Sequence, residues 1–125
     1  VTRPDLIRVL RAGGELAGFV LAFPDLSPAM VRAGGRLTPL SYLRLIREKH
    51  TTRRFIINGL GIKPAYRRAG GTALLFYEIT KILKEHQVEG AEMTQIAADN
   101  ELMMANVERL NAEIVKTHRV YQKDL

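Results

Sequence analysis

Cysteine and tryptophan are both absent from this chain of 125 residues. Without cysteine, neither a disulfide framework nor a thiolate metal site can form. The three histidines, His50, His86 and His118, are far apart in the sequence and lack the spacing of metal ligands, so we expect no metal. No apolar run approaches the roughly 20 residues of a membrane-spanning helix, so we expect no membrane segment. The charged beginning of the chain does not resemble a signal peptide, and we expect a cytoplasmic location.

Aromatic residues are scarce, at 6% of the chain, although the formal net charge is +6. Much of the positive charge lies between Arg44 and Arg54 and at Arg67 and Arg68. A protein that stacks nucleic-acid bases interleaves aromatic side chains with basic ones, and this pattern is missing. The charge therefore favours an anionic cofactor or a solvated basic face over a nucleic-acid partner.

Hydrophobic residues make up 46% of the chain, enough to form a core. A chain of this length fits one compact domain and is too short for two. We therefore expect residues 1–125 to form a single domain.

The first third of the chain predicts a hairpin. Asp5–Arg11 is rich in residues that favour strands, and Leu16–Phe23 is almost entirely apolar. Between them, Gly13 and Gly14 can adopt the positive φ values of a tight turn. Because its residues are nearly all apolar, we expect the second strand to be buried on both faces.

A longer connection follows the hairpin. Ser27–Gly35 predicts a loop with a helical turn, and Ser41–His50 predicts a helix in which Leu40, Leu43 and Ile46 have helical spacing. This helix could cover a sheet edge or help to wall a substrate site. We favour the first interpretation, because exposed sheet edges are usually covered.

The centre of the chain predicts a strand, a basic glycine turn and a helix. The strand is Arg54–Leu60, and Pro64 ends it because proline cannot donate to a sheet ladder. Arg67–Gly71 forms the turn, and Thr72–His86 has the period of a helix. The N–H groups at a helix N-terminus attract anions, and glycine lets an anion approach the backbone closely. This stretch therefore predicts a phosphate or diphosphate site.

Neither common phosphate motif accounts for the turn, since GxGxxG is absent and no GK[ST] follows. The stretch resembles instead the acyl-CoA signature of the GNAT superfamily of N-acetyltransferases. Pro64, Tyr66, Arg67 and Gly70 match that signature, whereas Thr72 stands where glycine or alanine is usual.

A register one residue later also fits part of the signature. It uses Arg68, Gly71 and Ala73, but it loses the spacing of the preceding Pro-x-Tyr-Arg. We prefer the first register, and both place the diphosphate on the same turn.

The resemblance implies an α/β fold with a mixed, mostly antiparallel sheet and helices on both faces. It covers residues 6–121, so the family's first strand and first two helices are missing. In this family the fourth strand splays from the fifth, and the pantetheine arm of acetyl-CoA enters the gap. The resemblance therefore implies that the arm lies along Leu60, Gly61 and Ile62, where Gly61 would allow close approach or form a bulge. The diphosphate would lie on Arg67, Arg68, Ala69, Gly70, Gly71 and Thr72.

The C-terminal third predicts a strand at Ala91–Ala97, a helix at Glu101–Leu110 and a last strand at Ile114–Gln122. By the resemblance, Asn100 belongs to the cofactor site. Val107 stands where the family often has a tyrosine that acts as general acid.

By the resemblance, the backbone N–H of Ile62 would polarise the thioester carbonyl of acetyl-CoA. His118 is a candidate base, because its ordinary pKa suits that role. The general acid stays unassigned.

The resemblance implies an N-acetyltransferase that moves an acetyl group from acetyl-CoA to a primary amine. A non-catalytic acyl-CoA-binding or interaction module is the alternative, and the missing tyrosine favours it. Because the strand Asp5–Arg11 would lose one neighbour, we also expect a homodimer, or pairing with a missing N-terminal segment, through this edge.

Overall fold

A computed structural model describes residues 3–123. It is a mixed α/β structure, as expected. After a short 3-10 turn at Pro4–Leu6, the elements follow in this order: β1 (Ile7–Ala12), β2 (Glu15–Pro24), α1 (Ser27–Arg32), α2 (Pro39–Thr51), β3 (Arg54–Ile62), α3 (Pro64–Arg67), α4 (Gly71–Glu85), β4 (Gly90–Met93) and α5 (Glu101–Arg109). The chain divides into two compact units, one up to Thr94 and one from Gln95.

The first unit contains a four-stranded sheet in the order β1-β2-β3-β4. The first two pairings are antiparallel, whereas β3 and β4 are parallel. The predicted hairpin is confirmed, since Gly13 and Gly14 have φ values of 59° and 85° at the turn between β1 and β2. A two-residue hairpin turn requires such φ values, and residues other than glycine rarely adopt them.

One face of the sheet packs against α4 and forms the core. Val20 and Phe55 of the sheet are buried together with Leu75 and Ile82 of the helix. Gly18 allows the close approach, because a Cβ there would lie 3.3 Å from Leu75 Cδ1 and 2.8 Å from the carbonyl oxygen of Gly61. Burial of each large apolar side chain contributes about 1.5–3 kcal/mol, so this layer positions the N-terminus of α4 beside the end of β3.

The expectation that β2 is buried on both faces is wrong. Leu16 is 50% exposed and Phe19 is 37% exposed. Side chains of a strand alternate between the two faces, so Phe19 points to the face opposite Gly18 and α4. Strand composition alone could not reveal that this second face is only partly covered.

The connection between β2 and β3 contains two helices. Before α2, the Thr38 side chain accepts a hydrogen bond from the Ser41 N–H at 3.2 Å, which caps the helix. Leu40, Leu43 and Ile46 point to solvent, with exposed fractions of 58%, 63% and 42%. These apolar residues therefore do not cover a sheet edge, and the interpretation that we favoured for them is wrong.

The second unit contains α5 and the C-terminal segment. Asn111, just after this helix, has a φ of 52°, a left-handed conformation that asparagine tolerates at a helix end. The predicted strand Ile114–Gln122 is wrong, because residues 112–123 form neither helix nor strand and are exposed. Its alternation places Lys116 and Arg119 on opposite faces, so neither face is apolar enough to be buried in a sheet.

Within residues 3–123, no helix has the length and apolar character needed to cross a bilayer.

Candidate functional site

Strand β4 pairs with only the first half of β3. They pair from Arg54 and Gly90 to Ile57 and Met93. One further hydrogen bond joins the Thr94 N–H to the Ile57 carbonyl at 3.1 Å. Beyond it, β3 continues to Ile62, and in residues 3–123 no strand pairs with it on that side. The second half of β3 therefore has an open edge, whereas the splay from a strand reaching Ala97 stays a prediction, because β4 ends at Met93.

A β-bulge in β3 lies at the point where its pairing with β4 ends. The pairing of β2 with β3 steps from Ala22–Ile57 to Leu21–Gly59, so Asn58 is the extra residue. The Thr94 hydroxyl donates a hydrogen bond to Asn58 Oδ1 at 3.0 Å. The bulge therefore lies at Asn58 and not at Gly61. The sequence contained one signal for this role, because Asn58 is the single polar residue of the apolar run from Phe55 to Leu60.

The open edge presents the backbone of Leu60 and Ile62. The Lys63 N–H donates to the Ala17 carbonyl of β2 at 2.8 Å. In an antiparallel pair, residues bonded to the neighbour alternate with residues whose polar groups point away. The N–H and carbonyl of Ile62 therefore point away from β2, and the Arg67 Nε donates to that carbonyl at 3.3 Å.

Gly61 has a packing role. A Cβ on this residue would lie 2.8 Å from Cε1 of the Phe19 ring, so the ring requires a glycine here. Phe19 and Gly61 are also direct partners in the sheet. The aromatic ring thus lies over the strand at the level of the open edge, on the face opposite α4.

After β3 and the short helix α3, a basic turn leads into α4. Gly70 is the N-cap of α4 with a φ of 82°, and no side chain caps the helix. The first N–H groups of a helix have no acceptor inside it, so those of Gly71 and Thr72 are available to an anion. A Cβ on Gly70 would meet nothing within 4 Å, so there is open space above the turn. Arg68 lies beside it and is exposed.

Gly71, unlike Gly70, is buried and must be small. A Cβ there would overlap Cδ1 of Ile62 and would lie 2.9 Å from the Tyr66 carbonyl. The two glycines therefore have different roles. Gly70 provides the left-handed backbone, and Gly71 allows α4 to begin against the end of β3. This contact brings the turn and the open edge together.

A shallow depression of about 190 Å³ lies next to this turn. The sequence did not predict it, because the tertiary packing of the hairpin against α3 and α4 forms it. Its lining combines apolar side chains with the edge of the glycine turn: Leu10, Arg11, Ala17, Tyr66, Gly70 and Leu74.

Three candidate residues lie in the second unit. Asn100 caps α5, where its Oδ1 accepts a hydrogen bond from the Met103 N–H at 3.2 Å. Val107 is buried, and His118 is exposed in the segment without helix or strand. Among residues 3–123, no group of three His, Cys, Asp or Glu side chains could hold a metal ion.

Comparisons with known proteins agree with this geometry. No protein-family profile matches the sequence, and no curated protein does. Among solved structures, the aminoglycoside N-acetyltransferase AAC(6')-Iy in complex with CoA is similar, with a TM-score of 0.59 and 14% identity over 95% of this chain and 75% of that one. A ribosomal-protein-alanine N-acetyltransferase from Brucella melitensis has a TM-score of 0.57 and 14% identity, over 94% of this chain and 70% of that one.

A third similar structure is Ard1 from Thermoplasma volcanium, with a TM-score of 0.59 and 13% identity, and 86% of this chain matches 55% of that one. These proteins are GNAT N-acetyltransferases. The chain therefore has the GNAT fold.

Proposed function

We propose that this chain binds acetyl-CoA and transfers its acetyl group to a primary amine. The open edge of β3, which ends against the glycine turn of α4, is the observation that carries the proposal. A ligand with an amide-rich arm and a diphosphate matches such a site, because the edge offers unpaired backbone groups and the turn attracts anions.

In this proposal the diphosphate lies on the turn from Arg67 to Thr72. The N–H groups of Gly71 and Thr72 donate to it, and Arg68 adds positive charge at the rim. Ala69 and Gly70 have no bulky side chains, which leaves the approach to the backbone free. The remaining cofactor residue that we propose is Asn100, in addition to its role as the cap of α5.

Leu60, Gly61 and Ile62 bind the pantetheine arm in this proposal. Acetyl-CoA supplies an acyl group already activated as a thioester. The Ile62 N–H donates to the thioester oxygen and stabilises the negative charge that develops there as the amine attacks. The new C–N bond forms, the C–S bond breaks, and the amine loses a proton as the thiolate leaves.

A second candidate function is acyl-CoA binding without catalysis. Val107 is the observation that favours it, because a buried valine cannot donate a proton to the leaving thiolate. His118 stays a predicted base, and Ile62 acts through its backbone in either case.

Titration calorimetry with CoA and acetyl-CoA tests the location of the diphosphate. Gly70→Asn and Gly70→Asp form a matched pair, because both residues tolerate positive φ and a Cβ at this position meets nothing within 4 Å. They differ by one negative charge. We expect Gly70→Asn to bind CoA within a few-fold of the unmodified chain and Gly70→Asp to bind at least about tenfold more weakly. Equal affinities of the two variants would show that the diphosphate lies elsewhere.

Thiol release from acetyl-CoA tests the transfer itself. The acceptor panel contains polyamines, amino acids, aminoglycosides and peptides with free N-termini. We expect release that depends on an amine, and mass spectrometry should find the acetylated product. Tight CoA binding without release for any acceptor would favour the non-catalytic function.

A further inference from the structure

Helix α2 carries an apolar stripe on its outer side. The α2 outer stripe consists of Leu40, Leu43 and Ile46, each at least 42% exposed. Ser41, on the opposite side of the helix, is buried. A surface helix normally turns its apolar side chains towards the core. Since α2 does the reverse, an apolar environment outside the chain would stabilise it.

Positive charge surrounds the α2 outer stripe. Residues 27–54 contain seven Lys and Arg side chains and a single acidic one, so this segment alone has the +6 net charge of the whole chain. The one acid, Glu48, is paired with Arg32 at 3.0 Å. Within the described part of the chain, no acidic side chain lies at ion-pair distance from Arg44 or Arg47. The charge on this face is therefore not neutralised internally.

The shape of the face limits what can cover it. A hollow of about 480 Å³ runs between the stripe and its basic neighbours, and every residue that lines it belongs to α2. Among residues 3–123 no second helix or strand forms a wall, so the stripe is the outward surface of a single helix. Such a surface fits a flat partner better than a linear peptide, which usually binds in a groove.

Charge also distinguishes among the remaining candidate partners, which are a second copy of the chain, nucleic acid and a lipid surface. Two copies of α2 packed together would bring Arg44 and Arg47 of each copy close to those of the other, which like-charge repulsion opposes. Nucleic acid would leave the apolar stripe against phosphates. An anionic lipid surface matches both the apolar stripe and the positive charge. The apolar side chains enter the boundary between headgroups and acyl chains, and the guanidinium groups stay at the headgroups.

We propose that α2 binds the surface of a membrane that contains anionic phospholipids. The α2 outer stripe enters the boundary between headgroups and acyl chains, with Arg44 and Arg47 on the lipid phosphates. This interaction is peripheral and uses one face of one helix. It is independent of the proposed acetyl transfer, whose candidate residues lie on other elements.

Vesicle flotation with the full chain tests the proposal. One set of vesicles is pure phosphatidylcholine, and in the other about a third of the lipid is phosphatidylglycerol. We expect at least about tenfold stronger binding to the anionic vesicles, and we expect binding to weaken as salt screens the charges. No binding to the anionic vesicles at low salt would overturn the proposal.

Two double variants separate the apolar and the electrostatic contributions. Leu43→Gln with Ile46→Gln keeps the charge, whereas Arg44→Glu with Arg47→Glu keeps the stripe. Each should weaken vesicle binding at least about tenfold without changing CoA affinity. The matched controls are Leu102→Gln with Leu110→Gln and Arg109→Glu with Arg119→Glu, which change exposed residues of the second unit. Equal losses in the controls would contradict the assignment to α2.

Two further measurements distinguish the other occupants. Circular dichroism of each variant shows whether it folds, and only folded variants count. If light scattering shows that Leu43→Gln with Ile46→Gln changes the oligomeric state, the stripe is an interface between copies and the proposal is wrong. Binding to polyglutamate without binding to vesicles would also overturn it in favour of an acidic protein partner.

Discussion

The Thr94 hydroxyl donates a hydrogen bond to Asn58 Oδ1 at 3.0 Å, at the point where β4 leaves β3. The same residue, Thr94, donates its N–H to the Ile57 carbonyl at 3.1 Å. Two hydrogen bonds from one residue therefore fix the place where the pairing with β3 ends, one to Ile57 and one to the bulge residue Asn58. The open edge of β3 begins beyond this point.

Loss of this side-chain bond should change ligand affinity more than stability. Thr94→Val and Asn58→Ala each remove an exposed hydrogen bond, so we expect the free energy of unfolding to fall by about 0.5–1.5 kcal/mol. CoA affinity should fall several-fold, because without this hydrogen bond the bulge holds the open edge of β3 less firmly. Urea unfolding and calorimetry measure the two effects. Thr80→Val, which removes a hydroxyl bond to the Phe76 carbonyl within α4, is the control and should leave CoA affinity unchanged.

The two glycines of the turn should respond differently to alanine. Gly71→Ala should destabilise the fold by about 1–3 kcal/mol, because the new Cβ overlaps Ile62. Gly70→Ala should lower the free energy of unfolding by about 1 kcal/mol, only because alanine disfavours the positive φ at this position. Gly90→Ala is the control, since nothing lies within 4 Å of a Cβ there, and it should change stability by less than about 0.5 kcal/mol. Equal costs for Gly70 and Gly71 in urea unfolding would contradict the division of tasks between them.

If His118 is the base, its loss should appear in the pH profile and not in stability. The side chain is exposed, so His118→Ala should leave the free energy of unfolding within about 0.5 kcal/mol of the original. The rate of acetyl transfer should fall, and the dependence of kcat on pH should differ from that of the original chain. His50→Ala, an exposed histidine on α2, is the matched control. An unchanged profile would remove His118 from the mechanism.

The outer edge of β1 should mediate self-association. This strand is the first in the sheet order, and its residue Val9 is 53% exposed. An apolar edge strand tends to pair with another chain. We expect light scattering to show a dimer that Val9→Lys weakens, because a charge at an edge opposes strand pairing. A monodisperse monomer near 14.0 kDa at high concentration would contradict this expectation.

Asp5 should make a small, pH-dependent contribution to stability. A hydrogen bond from the Arg3 guanidinium, at 2.6 Å, holds the pKa of the Asp5 carboxyl below its ordinary value. His86 Nε2 also lies 3.2 Å from this carboxyl. A lowered pKa stabilises the fold above the ordinary value, and the gain is lost as the pH falls through the folded-state pKa.

The expected size of this effect is small, since the Asp5 side chain is 46% exposed and solvent screens the pair. Asp5→Asn should reduce the free energy of unfolding by about 0.2–1 kcal/mol at neutral pH. The difference from the original chain should vanish in strong acid. Glu113→Gln, an exposed change in the C-terminal segment, should show no such dependence. A destabilisation by Asp5→Asn that persists unchanged in strong acid would show that the carboxylate charge is not its cause.

The sequence by itself determined the features whose causes are local. Gly13 and Gly14 fix the hairpin turn, because few other residues adopt their φ values. Pro64 follows the end of β3, and the basic glycine turn comes directly before α4, as the pattern predicted. Most of the proposed diphosphate site could be found in this way, since it lies on one continuous stretch of chain.

Only the tertiary structure decided the features that depend on distant partners. The bulge at Asn58 is defined by the register with β2, and its hydrogen bond comes from Thr94, which is 36 residues away. The apolar pattern of α2 predicted a helix but not the direction in which its stripe points. The alternation at residues 114–122 predicted a strand, but a strand forms only where another strand offers hydrogen-bond partners and a core covers one face. Local propensity acts within a few residues, whereas pairing and burial depend on the whole fold.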